Sequence, residues 1–172
     1  MTSKDSTGLV EQERVGPALA WVVGELERRV IPYQVVGGLA ARAWGGSREV
    51  VDIDLYVPLD QARQFLIDIG EYVVWGPQYY YSENWDITFM KIDFGNQRIE
   101  IADASSAPRF FNTLEDRWEE QTIDYSSSVR REVFGVECNV MPRGELIRYK
   151  KALDRPVDRI DVTDLMNACD QD

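Results

Sequence analysis

Asp52 and Asp54 stand two residues apart in Val50 to Val57, a stretch where apolar and polar residues alternate. Alternation of that kind predicts a β-strand, with Val51, Ile53, Leu55 and Val57 on one face and Asp52, Asp54 and Tyr56 on the other. Same-face neighbours on a strand have Cα atoms about 6.5–7 Å apart. Carboxylates so close need water, basic partners or cations to compensate them. A pair of Mg²⁺ or Mn²⁺ ions about 3.5–4 Å apart would bridge them and clamp the attacking and leaving oxygens of an in-line phosphoryl displacement. Hard oxygen ligands select such ions over zinc. A third carboxylate is offered by Glu100 in Arg98-Ile-Glu-Ile101, with Asp103 at the end of that segment in reserve. It would hold the ion that activates an acceptor hydroxyl, or act as general base itself. The plain alternative for an Asp-x-Asp strand is a solvated sheet face.

A second group lies just upstream. Gly37-Gly38 separates a predicted strand, Tyr33 to Val36, from a predicted helix, Leu39 to Trp44, which Gly45-Gly46-Ser47 stops. Glycine at such a junction lets backbone amides approach an anion, and a helix N-terminus adds a positive dipole end, so a triphosphate fits here. By itself a Gly-Gly pair is more often a simple turn. Arg48, between these glycines and the aspartates, either touches phosphate or pairs with Glu49 or Asp52.

The remaining elements follow from periodicity. Val15, Leu19, Val22 and Leu26 recur at helical spacing, predicting one long helix from Leu9 to Val30 with a break or a new start at Gly16-Pro17. Leu59 to Ile69 also has helical spacing. Tyr72 to Trp75 reads as a short strand before an aromatic loop, Gln78 to Tyr81, which with Trp85 either stacks on a ring or covers a sheet edge. Ile87 to Phe94 and Arg98 to Ala102 form a hairpin around Gly95-Asn96-Gln97. Residues 108–141 are strand-like or loop, and two helices follow, Gly144 to Leu153 and Pro156 to Ala168. Residues 1–8 are polar and expected to fray. The reading is one α/β (α+β) domain over residues 1–172, with a short mixed sheet flanked by helices and a helical pair at 144–168.

Composition narrows the chemistry further. The 172 residues contain no histidine, which removes Ser-His-Asp and Cys-His nucleophiles, the usual zinc sites and histidine acid–base steps. The two cysteines, Cys138 and Cys169, are too few and too distant for a disulfide framework and are read as reduced thiols. A formal charge of −11 disfavours non-specific binding to a nucleic-acid backbone, yet allows a nucleotide whose charge is met locally. No apolar run is long enough for a bilayer, and Met1 to Glu13 lacks a signal-peptide layout, so a cytoplasmic location is expected.

The order Val36-Gly37-Gly38, Gly45-Gly46, Arg48, Asp52-Ile53-Asp54 and Ile99-Glu100-Ile101 resembles the minimal nucleotidyltransferases of the DNA polymerase β superfamily. The segment from Glu145 to Asp161 is similar to the C-terminal element of bacterial nucleotidyltransferases near the abortive-infection (AbiEii-type) group, where a Lys, an Arg and two Asp recur at the spacing of Lys150, Arg155, Asp158 and Asp161. This chain departs from the pattern in having Glu at position 100 and Val50 where Thr is common. The resemblance implies transfer of a nucleoside monophosphate from an NTP such as ATP to an acceptor hydroxyl, with release of pyrophosphate. Asp52 and Asp54 would bind two Mg²⁺ (or Mn²⁺) ions and Glu100 one of them. Gly37 and Gly38 would hold phosphates, and Arg48 and Lys150 would neutralise charge on the leaving group. Lys150 and Arg155 also suit a helix C-terminus, Asp158 a capping or helix–helix role, and Asp161 a pair with Arg155. The acceptor implied is a hydroxylated small molecule, as in antibiotic-modifying members, or a tRNA or partner protein, as in toxin–antitoxin members. The competing reading is a catalytically silent binding protein with the same fold.

Overall fold

The structure is a computed structural model that describes residues 10–168, so the expectations for residues 1–8 and for Cys169 fall outside it. Helix α1 spans Glu11–Glu27 and continues through Pro17 without the expected break. Its Val15, Leu19, Val22 and Leu26 are fully buried, as the periodicity requires. Strand β1 (Gln34–Val36) leads directly into helix α2 (Gly37–Ala43), which therefore starts at the double glycine rather than after it. Strand β2 is Asp52–Val57. Val51, expected on its apolar face, lies before the strand and is 68% exposed, while its carbonyl accepts from Gln97.

The expected helix from Leu59 to Ile69 is broken into a 3-10 turn at Leu59–Gln61 and a short α3 at Arg63–Asp68. Strand β3 spans Val73–Tyr81, with register shifts against its partner between Val73 and Gln78, so the predicted aromatic loop is strand. Strands β4 (Trp85–Phe94) and β5 (Gln97–Asp103) form the hairpin, with only Gly95 and Asn96 at its tip. Residues 108–141 supply β6 (Arg109–Asn112), β7 (Arg117–Glu120), β8 (Val129–Val133) and β9 (Val136–Val140). Helices α4 (Arg143–Leu153) and α5 (Pro156–Asn167) form the predicted C-terminal pair. None of the described helices is long and apolar enough to cross a membrane.

The nine strands among the described residues join one mixed sheet in the order β7-β6-β4-β5-β2-β1-β9-β8, with β3 pairing the other side of β4. The α/β architecture is the predicted one, but the sheet is larger than the short sheet expected. Strands β2 and β5 are parallel neighbours, and β4 is antiparallel to β5. Ile53, Leu55, Ile99, Ile101, Met90 and Ile92 on these three strands are all buried to 1% exposure or less. They share a core cluster with α1, which packs on β5 and β9. Because strand side chains alternate, burying that face commits Asp52, Asp54, Glu100 and Lys91 to the opposite one.

Candidate active site

The parallel register places Asp54 directly beside Glu100, and Asp52 beside Arg98. In the antiparallel direction Lys91 lies opposite Glu100. One row across three strands thus reads Lys91, Glu100, Asp54, with Asp52 one pleat further along β2. All four line a single cavity of about 370 Å³. Its other walls come from distant parts of the chain: Gly37 of α2, Tyr80 of β3, Trp85 and Phe89 of β4, and Tyr149, Lys150 and Arg155 from the C-terminal pair.

The carboxylates repel one another in a partly dehydrated setting. Burial pushes the Asp54 carboxyl up to about 7, with Glu100 and Asp52 adding to the rise and Lys150 and Arg155 opposing it. Burial likewise raises Asp52, against Arg98, Lys91 and Arg14. Glu100 rises through burial and the nearby Asp52, offset by Lys91 and Arg98. Such a set favours either protons or cations. Among the described residues, no three acidic or thiol side chains are already closed into a ready ligand set. The three carboxylates share one floor and would have to converge on an ion. Asp103 does not take part, because its carboxylate caps a turn by accepting from the backbone N–H groups of Leu59 and Ser105.

Gly37 is specific to this arrangement. Its φ is +65°, and a Cβ there would lie 2.3 Å from Asp54 Oδ2. Only glycine admits the carboxylate at this point. Gly38 meets nothing closer than Arg48 Nη2 at 3.4 Å from a notional Cβ, and it does not line the cavity.

Arg48 also stands outside the cavity wall. It pairs neither with Glu49 nor with Asp52 but in bidentate fashion with Asp161, at 2.7 and 2.8 Å. Lys150, only 2% exposed, is held between Asp161 at 2.8 Å and Asp158 at 3.4 Å. Asp158 in turn accepts from the Arg155 side chain at 2.6 and 3.0 Å and from its backbone N–H, forming the α5 capping box. The capping role expected of Asp158 is therefore present, whereas Asp161 pairs with Arg48 and Lys150 instead of Arg155. Burial pushes the Asp161 carboxyl up, but the hydrogen bonds from Arg48 and Lys150 outweigh it and hold the group below its usual range. The result is an alternating chain, Arg48–Asp161–Lys150–Asp158–Arg155, that ties α2's exit, α4 and α5 together and ends at the cavity.

Arg155 stacks over the Trp85 indole with its Cζ 4.6 Å from the ring centroid. That face of Trp85 is therefore covered, and the indole N–H donates to the Tyr149 hydroxyl at 3.1 Å. Tyr79, Tyr80 and Tyr81 belong to β3, so they form an edge of the sheet instead of covering one as a loop, and of the three only Tyr80 reaches the cavity. The sequence reading had missed Lys91 and Tyr149. Lys91 shares strand parity with Ile87 and Phe89, a signal that becomes useful only once the β4–β5 register is known.

No protein-family model matches this sequence, and no curated protein matches it. Solved structures do. A Thermotoga maritima protein, TM1012, described as a candidate nucleotidyltransferase, superposes with a TM-score of 0.65 at 18% identity, covering 88% of this chain and 91% of that one. The lincosamide antibiotic adenylyltransferase LnuA, in a lincomycin-bound structure, gives 0.60 at 11% identity over 90% and 98% of the two chains. The antibiotic-resistance factor ANT(2'')-Ia gives 0.54 at 16% identity over 89% and 81%. At these identities the likeness is one of fold, and this chain has the nucleotidyltransferase fold.

Proposed function

We propose that this protein transfers a nucleoside monophosphate from an NTP to an acceptor hydroxyl and releases pyrophosphate. The observation that carries this reading is the row of Asp52, Asp54 and Glu100 on the β2–β5 face, at the floor of a cavity whose far wall bears Lys150 and Arg155. The raised carboxyl pKa values and the space left for Asp54 by Gly37 suit an oxygen-only donor set for Mg²⁺ or Mn²⁺. Such an ion, when bound, would supply charge neutralisation for the phosphates and acidify the acceptor hydroxyl.

The chain's own residues then divide the work. Asp52 and Asp54 would hold the ion, with Glu100 either completing its ligands or accepting the proton of the acceptor hydroxyl. The acceptor oxygen forms a bond to the α-phosphorus as the bond from that phosphorus to the bridging oxygen breaks, and the electron pair leaves with pyrophosphate. Arg155 is the cation best placed to meet that negative charge, because Asp158 and the Trp85 face fix its plane. Lys150 contributes through its field and through holding α4 to α5. Arg48 serves as the outer anchor of the same chain of ion pairs. Gly37 brings backbone close to the site, and no phosphate role is assigned to Gly38.

The fold neighbours include a lincosamide antibiotic adenylyltransferase and ANT(2'')-Ia, solved in complex with adenylyl-2''-tobramycin, which supports a small hydroxylated acceptor over tRNA, as does the −11 charge. A partner-protein acceptor of the toxin–antitoxin kind and the AbiEii-type grouping have no structural support of their own. A cytoplasmic location fits the NTP requirement.

A second reading, a catalytically silent binding protein, is favoured by one observation: Lys91 already approaches Glu100 at 3.9 Å. One experiment separates the two. Wild type with Mg²⁺ or Mn²⁺ and labelled NTP should show a thermal shift that Asp52→Asn and Asp54→Asn abolish, and a hydroxylated acceptor pool should then yield pyrophosphate. Binding without pyrophosphate from any pool would favour the silent reading. If neither variant changes metal or NTP binding, the catalytic reading is wrong.

A further inference from the structure

We propose that Lys91 is a tethered counter-cation for Glu100, so that the nucleotide-free site holds one divalent ion per chain instead of two. The inference rests on the metal reading above and refines it.

Lys91 is set opposite Glu100 by the β4–β5 register, not by a flexible approach from a loop. Its ammonium lies 3.9 Å from Glu100 Oε1, and it sits 5.8 Å from the Trp75 ring centroid and 5.6 Å from that of Phe89. Two aromatic faces thus favour a cation at this spot independently of the carboxylate. The neighbouring cation, Arg98, is paired with Asp93 and acts on Glu100 only through its field, whereas Lys91 is within 3.9 Å of it.

Charge balance gives the ion count. Asp52, Asp54 and Glu100 carry three negative charges when ionised, and Lys91 returns one, leaving two. On the opposite wall, the chain Arg48–Asp161–Lys150–Asp158–Arg155 has three cations and two carboxylates, and its one surplus positive charge weighs, like Lys91, against a second ion. A single divalent ion between Asp52 and Asp54 therefore satisfies the floor, and a second beside Glu100 would confront an ammonium already in place. Like charges at that range, in a partly dehydrated cavity, exclude one another.

The test is a Mn²⁺ titration of the nucleotide-free chain at pH 8, with free ion followed by its six-line EPR signal. Wild type should bind one ion. Lys91→Met should bind two, and Lys91→Arg, which keeps the cation, should bind one. Melting curves establish that each variant is folded, and Lys91→Gln replaces Lys91→Met if the latter is not. Two ions in wild type, or one in both wild type and the charge-removed variant, overturns the proposal while leaving the metal reading intact. No bound ion in any variant removes the metal reading itself, and this inference with it.

Discussion

Asp54→Asn should make the ion-free protein more stable, and increasingly so as pH rises. The carboxyl sits at the cavity floor with its pKa pushed up to about 7, against about 3.9 for an unperturbed aspartate. Because the folded state holds the proton more tightly, stability is unaffected below pH ~4 and is lost as pH climbs towards 7, after which the loss is constant. At ~1.36 kcal/mol per pH unit the full difference is about 4 kcal/mol. Asp54 as a residue is half-buried, and solvent screening of that kind roughly halves the figure to about 2 kcal/mol. Asparagine is close in shape and does not ionise, so the variant escapes the penalty. In a chain of this size, about 2 kcal/mol corresponds to a rise in Tm of about 4–8 °C. The assay is thermal or urea unfolding in EDTA at pH 5 and pH 8, with the two proteins compared at each pH. Equal stabilisation at both pH values, or destabilisation at pH 8, would refute the electrostatic account. Adding Mn²⁺ should reverse the order, since only wild type then gains binding energy. A site that costs the empty protein stability is the expected mark of residues kept for function.

Other variants probe the surrounding parts. Gly37→Ala forces a side chain into the left-handed region and onto the Asp54 carboxylate, so it should cost about 1–2 kcal/mol in urea unfolding and weaken Mn²⁺ binding. Gly38→Ala should instead be neutral or stabilise α2 by about 0.5–1 kcal/mol, with Mn²⁺ binding unchanged. Asp161→Asn leaves Lys150 and Arg48 short of a counter-charge and should cost about 3 kcal/mol at pH 7. Because the Asp161 pKa is lowered on folding, that deficit should shrink as pH falls through the carboxylate range, which acid titration of both proteins would read. Arg155→Lys keeps the charge but loses the planar stack on Trp85 and the two-point contact with Asp158, and fluorescence titration should show about tenfold weaker NTP binding.

The parts of the site that the sequence showed were those encoded locally. The β2 alternation put Asp52, Asp54 and Tyr56 on one face because a two-residue period survives without tertiary context. The later Ile-Glu-Ile gave Glu100 for the same reason. The 3.6-residue spacing of Val15, Leu19, Val22 and Leu26 gave α1. What the sequence hid depends on pairing between distant segments. The tyrosines of β3 resembled a loop because Gly76-Pro77 interrupts the pattern and the edge strand has little apolar burial to advertise itself. Arg48 has acidic residues next to it in sequence, yet its partner is Asp161, 113 positions later. Lys91 carries no signal of its own in the sequence, and only the hairpin register sets it against Glu100.

The floor of the site is measured out by a β-ladder, and this restricts how the gene can vary. Asp54 and Glu100 belong to adjacent parallel strands that no short turn could join, and of the 45 residues between them only the connections outside the strands are free to vary in length. The freedom ends at the strand itself. One codon inserted between Gln97 and Glu100 would turn the glutamate into the hydrophobic interior and send an isoleucine to the cavity, whereas the same insertion at the Ser82–Asn84 connection would leave the acidic row untouched.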